Sequence, residues 1–212
     1  MQFAQEKKIE THANDSYATI LFDYNIYPVN PFIPALNFNY YMLNERPLNF
    51  GFALELIPML HYKRDQHDYV NVAFQKAFTC LCEKYSHFIR YEKLLSAAKH
   101  RFYLPTRQIT RGSIGLFYEI LIRENDPQIS YYIFNFIKDL HKTILLFYHH
   151  IIVKNIGVDW TLQDKKEQLF FRSICAEYYL FTDRNIVENM ILGTCKAALL
   201  EKMPPLLVRQ TI

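Results

Sequence analysis

The sequence predicts a mainly α protein, a bundle of five to six helices over about residues 51–203 with an N-terminal extended arm rich in proline and aromatics. Three observations predict it. Glycine is scarce, 5 of 212 residues against a usual ~7%, so few turns can use a positive φ. Hydrophobic residues make up 50% of the chain and aromatics 16%, enough to build a core. From residue 70 the apolar positions recur at steps of three, four or seven, the spacing of a helical stripe.

Taken in order, residues 1–16 are polar and read as a loose tail. Residues 17–50 carry Pro28, Pro31 and Pro34 at every third position. That spacing interrupts any helical ladder and suits an extended segment, with residues 17–24 as a short strand. The expected division is therefore a tail and arm over 1–50 and an α-helical domain over 51–212. Residues 51–60 read as a short helix interrupted near Pro58. The stripe Phe74, Phe78, Leu81, Tyr85, Phe88, Leu95, Phe102 reads as one long helix ending before Pro105. Residues 109–124 read as a third helix. Asp126-Pro127 marks a helix start, and Gly157 marks the stop just past Asn155. Thr161 and Asp164 have the spacing of a capping box, which predicts a helix to about Phe181. Thr182 or Asp183 opens a last helix that ends before Pro204-Pro205.

The run ILLFYHHIIV, residues 144–153, places His149 and His150 among apolar side chains. A membrane span over 131–153 would contain Lys138, Asp139, His141 and Lys142, a costly density of charge in a bilayer. No transmembrane segment is expected; these residues read instead as the most buried turns of the bundle. Adjacent helical residues diverge by about 100°, so the two histidines do not chelate together. Cys80 and Cys82 lack the two-residue spacer of zinc and redox motifs, and Cys175 and Cys195 read as ordinary core thiols. No metal and no cofactor is expected. The chain opens without the basic and apolar blocks of a signal peptide, and four thiols suit a reducing cytoplasm.

Net charge is +3, too small to imply a partner by itself. It is unevenly placed: residues 61–111 hold ten basic and four acidic groups, whereas residues 1–60 hold three and six. Lys84, Arg90, Lys93, Arg101, Arg107 and Arg111 form a candidate contact for an anion or an acidic partner, with Arg90, Lys93 and Arg101 inside an arc of about 80° on one helix. No phosphate loop, nucleophile elbow, HExxH or dinucleotide fingerprint occurs, and no catalytic residue is assigned. Gly112-x-x-Gly115 beside Arg111 reads as a capped helix start.

The function these features favour is a non-catalytic adaptor or structural subunit within a larger assembly, binding other protein subunits through Tyr27, Pro28, Pro31, Phe32, Pro34, Phe38, Tyr40 and Tyr41 of the arm. One alternative is a helical protein binding a nucleic-acid backbone through the basic face of residues 84–111. A second is an enzyme whose catalytic residues are dispersed.

Overall fold

Residues 35–43 read ALNFNYYML, and a period of two sorts them into two sets: Leu36, Phe38, Tyr40 and Met42 on one side, Ala35, Asn37, Asn39 and Tyr41 on the other. The computed structural model, which describes residues 19–43, 48–60, 64–111, 114–122, 127–182 and 204, shows this segment as a strand at the heart of an antiparallel sheet. The elements are β1 (Thr19–Ile26), β2 (Ala35–Leu43), β3 (Leu48–Ile57), α1 (Arg64–Lys84), α2 (Tyr91–Arg101), β4 (Tyr103–Leu104), β5 (Ile109–Thr110), β6 (Ile114–Ile122), α3 (Pro127–Asn155) and α4 (Leu162–Phe181). The main sheet has the order β1-β2-β3-β6, and β4 and β5 form a separate short ladder.

The expected helical bundle with an extended arm is thus corrected to an α+β fold. Residues 19–43 and 48–50 form no arm: they build β1, β2 and the start of β3, and β3 runs across the expected division at residue 50. The three prolines lie in or beside the β1–β2 connection, where a missing N–H breaks no ladder. The expected short helix over 51–60 is β3, in which Phe50, Phe52, Leu54 and Leu56 alternate with Gly51, Ala53 and Glu55. The expected helix over 109–124 is β5 and β6. The expected long helix is two, because the chain turns at residues 85–90 and Arg90 takes an extended conformation before α2.

One face of the sheet is apolar in every strand. Register sets Tyr24 beside Phe38, Phe38 beside Leu54 and Leu54 beside Leu116. Against this face pack Phe74 and Phe78 from α1, Tyr85 just beyond its end, and Ile133, Phe136, Leu140, Ile144 and Ile151 from α3. Together these form the main core, and removing one buried ring from it typically costs about 3–5 kcal/mol.

Helix α3 starts and stops within a residue of its sequence signals, yet its second half is not the buried centre expected. Leu145, Leu146 and Val153 are exposed, as are His149 and His150. A sheet covers one stripe of a helix, so the far side faces water however apolar it is. The histidine that enters the protein is His141, whose ring lies 5.0–6.3 Å from those of Phe22, Tyr24, Phe38 and Tyr40. Thr161 and Asp164 form the expected capping box on α4, with both reciprocal bonds present. The expected last helix lies outside the described residues. No helix among those described is long and apolar enough to cross a membrane.

Candidate functional site on the polar face of the sheet

The face of the sheet opposite the main core is polar, and register arranges it in rows. Asn25, Asn37, Glu55 and Gly115 stand side by side across four strands, and Asp23, Asn39, Ala53 and Phe117 form the next row. Tyr41, Gly51 and Glu119 form a third. A Cβ on Gly51 would stand 2.7 Å from the Tyr41 ring, so only glycine lets that ring lie across the strand. There the Tyr41 hydroxyl donates to Glu119 Oε1 at 2.8 Å.

Helix α4 closes one end of this face. Ile174, Tyr178 and Tyr179 pack with Ala98, Phe102 and Leu104, and Cys175 joins Ala35, Ile57 and Met59. The face is sealed where Asn37 and Glu55 are buried, and opens toward the half-buried Asp23, Asn39 and Tyr41 and the exposed Glu119.

Arg111 reaches the sealed end by a local device. After β4 the chain reverses through Pro105 to Gln108, and Gln108 adopts φ 54°, a left-handed conformation that costs a non-glycine residue on the order of 1 kcal/mol or more. The reversal returns Arg111 beside α2, where its N–H donates to the Phe102 carbonyl at 2.9 Å. Its guanidinium donates to Glu55 Oε2 from Nε at 2.9 Å and also from Nη2. The pair is almost wholly buried, at 3% and 1% side-chain exposure. The cation lies 4.1 Å from the Tyr178 ring centroid and 4.7 Å from that of Tyr179. Burial opposes its charge, but Glu55 outweighs this and holds the guanidinium well above its ordinary pKa.

Three buried atoms in this cluster have no hydrogen-bond partner among the described residues: Asn37 Oδ1, Glu55 Oε1 and Arg111 Nη1. The Asn37 amide nitrogen donates to the Tyr179 hydroxyl at 2.8 Å. Natural proteins leave few buried polar groups unpaired, because each costs about 1–3 kcal/mol. Two acceptors and one cationic donor without partners among the described residues gather in one place, and this makes the cluster the candidate site. Cys175, at the same end, is buried with its thiol pushed up to about 12 by burial, so it stands there as an uncharged core group.

The structure scatters the basic residues read from the sequence. Lys84 pairs with Asp139, Arg107 with Glu177 and Arg111 with buried Glu55. Arg90, Lys93 and Arg101 are exposed at α2. Of the residues assigned to the arm, Pro31, Phe32, Pro34 and Phe38 are buried in the chain's own core, and Tyr27, Pro28, Tyr40 and Tyr41 are half-buried. Asn37, Glu55, Glu119 and Tyr179 were missed. Their one sequence signal was the alternation of amides with apolar residues over 35–41, which marks a sheet with one polar face.

A four-stranded antiparallel sheet, apolar toward two long helices and with a polar cluster half-sealed by a third, defines an α+β protein. The chain belongs to the coproporphyrinogen III oxidase family, whose model matches residues 1–209. The chain is 31% identical over 176 residues to an oxygen-dependent coproporphyrinogen-III oxidase of Rickettsia rickettsii (strain Sheila Smith) and 30% identical to that of Rickettsia prowazekii (strain Madrid E). Each match covers 83% of this chain and 60% of the relative, so the chain spans about 60% of the length of these relatives. Membership in a family of oxidases overturns the expectation of a non-catalytic adaptor and of an all-α complex subunit.

Proposed function

We propose that the polar sheet face binds coproporphyrinogen III or a closely related porphyrinogen and serves its oxygen-dependent oxidation. The observation that carries this reading is the trio of unpartnered buried atoms, Asn37 Oδ1, Glu55 Oε1 and Arg111 Nη1. A porphyrinogen presents pyrrole N–H donors on an apolar macrocycle whose side chains bear carboxylates. The two free acceptors suit the N–H groups, and the free guanidinium N–H suits a carboxylate. The macrocycle enters from the open end, over Asp23, Asn39 and Tyr41, and displaces Tyr179 from Asn37. Glu55, hydrogen-bonded by Arg111, then stabilises positive charge that develops on the ring as electrons leave for oxygen. Binding without turnover is the second reading, favoured by the sealing of Glu55 and Arg111 beneath Tyr178 and Tyr179.

The test is equilibrium binding of coproporphyrinogen III to the full chain, with oxygen consumption and product mass followed in parallel. Wild type is expected to bind, and Glu55→Gln and Arg111→Met to weaken binding at least tenfold. A wild-type chain that neither binds coproporphyrinogen III nor consumes oxygen with it refutes the proposal. The buried free thiols Cys82 and Cys175 support a reducing, cytoplasmic setting. The exposed Arg90, Lys93 and Arg101 support contact with an acidic partner subunit.

A further inference from the structure

A cavity of about 550 Å³ lies between the β1–β2 connection and the α3–α4 connection. Ile26, Ile33 and Ile152 form its walls, together with the rings of Tyr27, Tyr148 and Trp160. Its size falls inside the ~300–1,000 Å³ range of small-molecule sites, and apolar and aromatic walls are their usual lining. Two hydrogen bonds hold the frame rigid: Tyr148 donates to the Pro34 carbonyl at 2.9 Å, and Asn30 donates to the Val158 carbonyl at 3.0 Å. Val29, Ile156 and Trp160, all part of the lining, are 65%, 66% and 40% exposed. Large apolar side chains gathered around one opening mark an interaction site.

Two cations stand beside the lining, bonded to its backbone. Lys165 Nζ donates to the Val29 carbonyl at 3.1 Å and stands 5.6 Å from the Trp160 ring. Behind it Arg172, 2% exposed, donates to the Pro28 carbonyl at 2.8 Å, and its Nε has no hydrogen-bond partner among the described residues. Neither cation meets a carboxylate among the described residues. Burial, and then the charge of Arg172, hold Lys165 below its ordinary pKa, so an anion brought to Lys165 relieves a repulsion. Asp159, the acid in the lining, is exposed.

We propose that this cavity binds a small amphipathic anion, a molecule with an apolar chain or ring that lies among Ile33, Tyr148 and Ile152 and a carboxylate that meets Lys165. The site adjoins the polar face through Tyr27, which hydrogen-bonds Tyr179, but the proposal does not rest on porphyrinogen binding there.

Trp160 is the one tryptophan of the chain, so its emission reports on the cavity directly. The full chain is titrated with decanoate and, as the neutral match, decanol. Decanoate is expected to change Trp160 emission saturably, and decanol to bind at least tenfold more weakly. Lys165→Gln is expected to weaken decanoate at least tenfold. Gly157→Leu is expected to abolish binding: Gly157 lines the cavity, and a Cβ there meets nothing within 4 Å. If Gly157→Leu melts below wild type, Val29→Glu replaces it, since this exposed position accepts a carboxylate that repels the ligand at the mouth. No saturable change with decanoate, equal affinity for decanol, or unchanged affinity in both Lys165→Gln and a folded mouth variant overturns the proposal.

Discussion

Arg111→Met leaves Glu55 as a carboxylate with 1% side-chain exposure and without its partner. Breaking a buried pair from one side typically costs about 3–5 kcal/mol, because the remaining charge is uncompensated. The cation also loses its place against the Tyr178 and Tyr179 rings, a contact that typically contributes ~0.5–2 kcal/mol. Methionine refills most of the volume, so a cavity term is small. The expected loss is thus about 3.5–7 kcal/mol from a total that for most domains is only about 5–15. At roughly 2–4 °C per kcal/mol for a chain of this size, the melting midpoint should fall by about 7–28 °C. The assay is urea unfolding of wild type, Arg111→Met, Glu55→Leu and the double variant. Either single change should be costly, and the double variant should recover most of the loss, because two apolar side chains bury no unpaired charge. Single variants within about 1 kcal/mol of wild type, or a double variant as unstable as the sum of the singles, would show that the pair is not sealed as described.

Burial holds His141 neutral below its ordinary pKa; its contribution is complete above the unfolded value of about 6.5 and is lost as pH falls below it, since the unfolded chain takes the proton first. Thermal melts between pH 7.5 and 5 should therefore fall in midpoint, and the slope should flatten in His141→Gln. Asp139 is held below the usual carboxylate range by hydrogen bonds from Lys84 and then Tyr85, so its contribution is present above about pH 4 and fades below it; Asp139→Asn should remove that part of the acid limb in acid titrations followed by circular dichroism. Leu145→Asp, at a position 47% exposed, should melt near wild type, whereas Ile144→Asp, wholly buried, should not fold. Thr161→Ala, which loses the capping box of α4, should cost about 0.5–2 kcal/mol by urea unfolding.

The sequence by itself determined the helices whose ends are written locally. Proline at the first position of α3 and Thr161 with Asp164 at the start of α4 each act within one turn of chain, and the observed helices start there; Gly157 lies beyond the end of α3 without the left-handed φ of a glycine stop. The sheet was decided elsewhere. The run FGFALELI of β3 carries an alternation short enough to pass for part of a helix, and only its bonding to β2 and β6 makes it a strand. Of these partners β2 is the preceding strand, but β6 is remote in sequence, and no local signal records it. The same holds for the candidate site. Glu55 and Arg111 are 56 residues apart, and Asn37 and Tyr179 are 142 apart. In the sequence Arg111 is one of several cations expected at the surface. Tertiary structure buries it, because the turn at Gln108 and the cover of α4 place it over Glu55 in a medium where an isolated charge is unaffordable and a paired one is fixed in place.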